Sequence, residues 1–144
     1  MKKSEKSQQT ERLVIPSDQR HLPDVEKFVK KISKKAGLSV DQSDNLAIAV
    51  TELVNNGIIH ANKFAPDKVV TLEVLFLGNC IKFSVIDQGS GFDPEAIENP
   101  IDPENLWKLG GRGIFLVKNL IDEVEIHPTA NGTTVVLTEY IDQN

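Results

Sequence analysis

A chain of 144 residues that is 40% hydrophobic, with a formal net charge of −5 and one cysteine, has room for one domain with a proper core. These numbers exclude a disulfide scaffold and argue against a dedicated nucleic-acid binder. The charge is uneven: residues 1–37 hold ten Lys/Arg against five Asp/Glu, and residues 38–144 hold six against sixteen, a split that suits a protein partner or self-association.

The opening MKKSEKSQQTER is basic but no apolar stretch follows it, and no later run reaches membrane-spanning length. The expectation is therefore a cytoplasmic chain without signal peptide or anchor. Residues 1–10 are expected to be disordered and residues 11–141 to form the single domain. Arg12 to Ile15, ended by Pro16, reads as an edge strand, because proline cannot donate to a ladder. Pro23 opens a first helix with Val25, Phe28, Val29 and Ile32 at helical spacing, and Gly37 ends it. Its Lys27, Lys30, Lys31, Lys34 and Lys35 read as a solvated face.

Ser39 followed by Gln42 is a capping-box pattern that opens a second helix reaching about His60. Asn62 to Lys68 reads as a turn. Val69 to Phe76 and Cys80 to Asp87, joined at Gly78-Asn79, read as an antiparallel hairpin, with Cys80 in the core. Asp87 to Gly113 is long and rich in Gly and Pro, as binding loops and lids are. A third helix carries Ile114, Val117 and Ile121. Two strands follow, Glu123 to His127 and Thr133 to Tyr140, joined at Asn131-Gly132. These elements indicate an α+β two-layer sandwich, with a mixed, mainly antiparallel sheet covered on one face by helices. The strand order does not follow from the pattern.

Chemistry-bearing residues concentrate in three places. On the second helix Glu52, Asn56 and His60 lie four apart and form one polar stripe, while Leu46, Ala49, Val50, Leu53, Gly57 and Ile58 form the face a sheet would cover. A carboxylate and a carboxamide one turn apart can hold a hard cation or activate a hydroxyl; an exposed helix face is the alternative. Asp87-Gln88-Gly89-Ser90-Gly91 puts a carboxylate at a strand end before two glycines. A calcium loop is excluded because its ligand positions would fall on Gly89 and Gly91, and a plain turn stays open. Gly110-Gly111-Arg112-Gly113 opens a helix, where free amides suit phosphate, but neither a dinucleotide fingerprint nor a lysine-bearing P-loop is present. A hairpin turn accounts for Gly132-Thr133-Thr134.

As an ordered set, Glu-x3-Asn-x3-His on a helix, Asp-x-Gly-x-Gly, Gly-x-Gly at a helix start and Gly-Thr resemble the four boxes of the GHKL nucleotide-binding superfamily. This superfamily contains gyrase, chaperone, histidine-kinase and mismatch-repair ATPases. ELVNNGIIH in a short chain looks most like the anti-sigma-factor serine kinases of bacterial stress response and sporulation, with the likeness running from about Arg12 to Tyr140.

The resemblance implies a GHKL kinase fold and a reaction in which Mg·ATP phosphorylates a serine or threonine of a protein. Asn56 would hold Mg²⁺, Glu52 would act as general base, and Asn55 would face the phosphates. Asp87 and Thr133 would read the adenine edge, favouring ATP over GTP because a carboxylate only accepts. Gly89 and Gly91 would let the ring pack on backbone, Gly111 and Gly113 would offer amides to the phosphates, and Arg112 would add charge there. Pro94 to Leu109 would be the ATP lid. Leu109 stands where many such kinases carry a basic residue, with Lys108 and Arg112 nearby. The implied partners are a STAS-type anti-sigma-factor antagonist, as substrate, and a sigma factor that the kinase sequesters; a homodimer is implied, with the basic first helix in partner recognition. The alternative is a non-catalytic ATP-binding switch acting on some other protein.

Overall fold

The computed structural model describes residues 9–89 and 113–142. Its elements in chain order are β1 (Gln9–Pro16), α1 (Leu22–Ala36), α2 (Val40–Asn56), a π-helical turn (Gly57–Ala61), β2 (Val69–Phe76), β3 (Cys80–Ile86), α3 (Gly113–Leu120), β4 (Glu123–Thr129) and β5 (Gly132–Tyr140). The five strands form one sheet in the order β1-β2-β3-β5-β4.

The expected two-layer α+β sandwich is present, with one difference. Every strand pair among the described residues is antiparallel, where a mixed sheet was the expectation. β4 runs in the direction of β3, but β5 lies between them and pairs with both. β1 is the expected edge strand, ended at Pro16. It begins earlier than the sequence indicates: Gln9 and Thr10, read as tail, pair with Phe76 and Leu75.

The helices begin and end where local chemistry dictates. Gly37 adopts φ 86°, and the amides of Gly37 and Leu38 bond to the carbonyls of Lys34 and Ser33, closing α1 with a left-handed cap. Gly37 and Ser39 then let the chain reverse into α2, whose capping box is complete: the Gln42 amide donates to Ser39 Oγ at 3.1 Å, and the Ser39 amide to Gln42 Oε1 at 3.1 Å. The β4–β5 turn centres one residue earlier than expected, on Ala130-Asn131, with Gly132 paired to Thr129.

The core lies between the sheet and the helices. Val25, Val29 and Ile32 of α1, Leu46, Val50 and Leu53 of α2, and Val70, Leu72, Phe83 and Leu137 of the sheet are buried there. Phe28 meets Phe83 edge to face, ring centres 6.0 Å apart. Each such side chain contributes about 1.5–3 kcal/mol on burial. Cys80 is buried, as expected.

The basic face of α1 is engaged within the chain. Lys30 pairs with Asp44 of α2 at 3.1 Å, while Lys31 and Lys35 both reach Glu11 of β1. Exposed pairs of this kind contribute little stability, but they tie α1 to both of its neighbours.

Candidate functional site

The second helix does not run as a uniform α-helix to His60. After Asn56 it widens into the π turn, where the Asn62 amide bonds to the Gly57 carbonyl at 2.8 Å and the Phe64 amide to Ile58 at 2.9 Å. Lys63 and Phe64 follow at φ 52° and 60°, so the helix unwinds through a strained pair. A π turn absorbs one extra residue, and such turns concentrate at functional sites.

Asn62 comes out of this turn buried, 2% exposed, with its whole amide used. Its Nδ2 donates to Ser17 Oγ (2.9 Å) and Val69 O (3.0 Å), and its Oδ1 accepts from the Gln88 amide at 2.8 Å. Gln88 Oε1 in turn accepts from the Val69 amide at 2.7 Å. One side chain thus joins the end of α2, the start of β2 and the segment after β3. The sequence pattern places Asn62 in a turn; a polar residue ending an otherwise apolar helix run is the signal of its buried role.

This junction sets the position of Asp87. Asp87 Oδ1 accepts from the amides of Gly89 (3.1 Å) and Thr133 (3.0 Å), and the Asp87 amide donates to the Thr133 carbonyl at 3.0 Å. Among the described residues, Oδ2 has no partner. Burial pushes the Asp87 carboxyl above its ordinary value, opposed by the Gly89 and Thr133 amides and by the charge of Lys68.

The chain passes so close here that two glycines are obligatory. A Cβ on Gly89 would lie 2.7 Å from the Ala61 carbonyl oxygen. One on Gly132, at φ 150°, would lie 2.2 Å from the Asp87 carbonyl oxygen. Gly132 is therefore part of the site's frame, beyond the turn role its sequence context explains.

A cavity of about 90 Å³ opens between α2, the ends of β3 and β5, and the start of α3. Asn56, His60, Asp87 and Thr133 supply its polar wall; Leu53, Ile114, Ile126 and Val135 are among its apolar ones. Pockets for whole ligands run from about 300 Å³, so these walls hold part of a ligand, such as a ring. Asn56 Nδ2 is buried in this wall with no hydrogen-bond partner among the described residues. Its amide can present either oxygen or nitrogen by a flip, so this is an unused polar group available to a ligand or cation. Among the described residues no group of three or more His, Cys, Asp or Glu could hold a metal. A carboxamide sharing Mg²⁺ with phosphate oxygens fits this donor set, because Mg²⁺ is commonly held by one or two protein groups plus phosphates.

The structure thus brings Asn56, Asp87, Gly89 and Thr133 together and adds His60. It separates Glu52 and Asn55 from them. Both line a different groove, between α1 and α2, and Asn55 Oδ1 accepts from Gln19 Nε2 at 2.9 Å. The Glu52-Asn56-His60 stripe is thereby divided between two concavities, with Glu52 about 6 Å along the helix axis from Asn56. Gly91, Gly111, Arg112 and the expected lid at 94–109 lie outside the described residues. Gly113 begins α3.

The model of the histidine kinase-like ATPase domain family matches residues 15–139. A serine-protein kinase RsbW from Listeria monocytogenes is 33% identical over 118 residues, 78% of this chain and 74% of that protein. One from Staphylococcus aureus is 31% identical over 135 residues, 88% and 84% of the two chains. Among solved structures, the RsbU and RsbW domains of Rv1364c from Mycobacterium tuberculosis align with a TM-score of 0.66 at 19% identity. That alignment covers 94% of this chain and 33% of that one. A histidine kinase domain from Erythrobacter litoralis aligns at 0.56 and 20% identity, covering 90% and 67%. At these identities the structural likenesses speak for the fold.

Proposed function

The chain belongs to the histidine kinase-like ATPase domain family and is a serine-protein kinase of the RsbW type; we propose that it seats ATP with adenine on Asp87 and the phosphates toward Asn56. The observation that carries this reading is the pairing across one cavity of Asp87, with one oxygen pinned by two amides and the other unused, and the unpartnered amide of Asn56. Asp87 Oδ2 accepts from the adenine amino group, and Thr133 supports the same edge. A group that only accepts disfavours guanine, whose carbonyl stands at that place. Gly111, Gly113 and Arg112 belong to the phosphate side of the site in this reading and Gly91 to the side of the ring, while Gly89 holds the loop against Ala61; Asn55, whose Oδ1 accepts from Gln19, lines the other groove.

Asn56 is the residue that would hold Mg²⁺, and the bound ion neutralises charge on the transferring group. The acceptor is a serine or threonine of a STAS-type anti-sigma-factor antagonist. Its hydroxyl oxygen attacks the γ-phosphorus while the bond to the bridging oxygen of ADP breaks, and Glu52 takes the hydroxyl proton. The unphosphorylated antagonist releases a sigma factor that the kinase otherwise sequesters. In this reading the kinase is a homodimer, and because it acts through the sigma factor its output is regulation of transcription without direct contact to nucleic acid.

Glu52→Gln is the test. Mg·ATP affinity, measured by calorimetry, is expected to stay within about threefold, and phosphoryl transfer to the antagonist to fall by about 100-fold or more. Undiminished transfer would remove Glu52 from the chemistry. A wild-type protein that binds ATP but labels no antagonist would favour the non-catalytic switch.

A further inference from the structure

The π turn that follows Asn56 brings two neighbours, Ala61 and Asn62, against the two residues that follow Asp87. The Ala61 carbonyl lies so near Gly89 that a Cβ there would stand 2.7 Å from its oxygen. Asn62 Oδ1 accepts from the Gln88 amide at 2.8 Å. Between these contacts lies the turn that orients the Asp87 carboxylate. Its Oδ1 accepts from the Gly89 amide at 3.1 Å, a side-chain-to-backbone turn with Gln88 as its central residue.

In a free loop such a turn opens, and an aspartate carboxyl rotates broadly about its last torsion. Held by the Thr133 amide alone, at 3.0 Å, the carboxyl would be free to exchange its oxygens. The Gly89 amide on the same oxygen removes that freedom, and it stays there because Gln88 is gripped twice. Asn62 holds its backbone amide, and the Val69 amide donates to its Oε1 at 2.7 Å.

Asn62 is 2% exposed and does not line the cavity. A carboxamide so buried is costly unless its groups are bonded. Its Nδ2 is anchored on Ser17 Oγ at 2.9 Å and Val69 O at 3.0 Å, which leaves Oδ1 aimed at Gln88. An apolar side chain of similar size fills the same volume without that cost, so what the amide adds is direction.

Resting on the seating of ATP given above, we propose that Asn62 is a positioning residue for nucleotide choice. By holding the Gln88 amide it fixes which oxygen of Asp87 faces the base, and so sets the preference for adenine over guanine. It acts only through Gln88 and Gly89.

The readout is the ratio of Mg·ATP to Mg·GTP affinity, measured by calorimetry on the full chain. Asn62→Leu is expected to weaken ATP about tenfold and to leave GTP within about twofold. Ser17→Ala removes one anchor of Asn62 but keeps its bond to Gln88; stability is expected to fall while the ratio stays within about twofold of wild type. Gln88 is exposed, so Gln88→Leu loosens the second grip without threatening the fold, and the ratio is expected to drop about threefold. In an Asp87→Asn background, Asn62→Leu is expected to change the ratio by less than about twofold, because residues that act through one another are not additive. A wild-type ratio in folded Asn62→Leu protein, or in Gln88→Leu should the first variant not fold, would overturn the proposal. So would an equal fall in Ser17→Ala, or full additivity with Asp87→Asn. Failure of the seating itself is distinguishable: it appears as an unchanged ratio in Asp87→Asn alone.

Discussion

The two ends of α2 hold similar ingredients arranged for different ends. At its N-terminus the buried Gln42 completes the capping box and also donates to Glu139 Oε2 (3.0 Å) and the Tyr140 carbonyl (2.6 Å). Glu139, 5% exposed, accepts from the Asp122 amide with its other oxygen at 3.3 Å, and burial pushes its carboxyl above the ordinary value. At the C-terminus Asp87 is pushed the same way by the same cause. The difference lies in what each carboxyl has left to offer. Both oxygens of Glu139 are spent inside the protein, stitching α2 to β5 and to the turn before β4. Among the described residues, Asp87 keeps one oxygen free beside the Asn56 Nδ2, which has no partner. A raised carboxyl therefore does not by itself mark a binding site; the unused lone pair does.

The sharpest way to break the comparison is at the frame of the C-terminal end. Gly132→Ala places a Cβ against the Asp87 backbone at a φ that side chains avoid, and is expected to cost about 3 kcal/mol of stability, read by urea unfolding. A loss under about 1 kcal/mol would mean that the loop has slack the geometry does not show.

Asp87→Asn tests the free oxygen more selectively. The new side chain keeps an acceptor for the Gly89 and Thr133 amides but turns a donor toward the base. ATP affinity is expected to fall roughly 10- to 100-fold with GTP spared, at little cost in stability. Equal weakening of both nucleotides in a calorimetric titration would mean that Asp87 does not read the base.

The smallest effect belongs to Glu139. Its folded pKa lies above its ordinary value of 4.5, so the folded state holds the proton more tightly than the unfolded chain. The resulting cost is absent below about pH 4.5 and grows as pH rises through the folded value. Glu139→Gln should therefore flatten the decline of unfolding free energy that begins above about pH 4.5, whatever its constant offset. A slope identical to wild type would show that Glu139 does not titrate in that window.

Much of this molecule was legible in its residue order, for physical reasons that are local. Proline and glycine at helix ends, the Ser39–Gln42 box and the alternation of β2 depend on neighbours a few residues away, so the pattern alone placed α1, α2, α3 and both hairpins. The likeness to a kinase family likewise came from short motifs whose internal spacing is preserved. What needed the folded chain were relations between residues far apart in sequence. β5 inserts between β3 and β4, and Gly132 lies against Asp87, 45 positions earlier. Asn62 is satisfied by Ser17, Val69 and Gln88 together. Helical spacing put Glu52 and Asn56 on one stripe, yet only the packing of α1 against α2 decided that the carboxylate opens on one concavity and the carboxamide on another. Spacing constrains direction around a single helix, whereas which space a side chain enters depends on what the rest of the chain packs beside it.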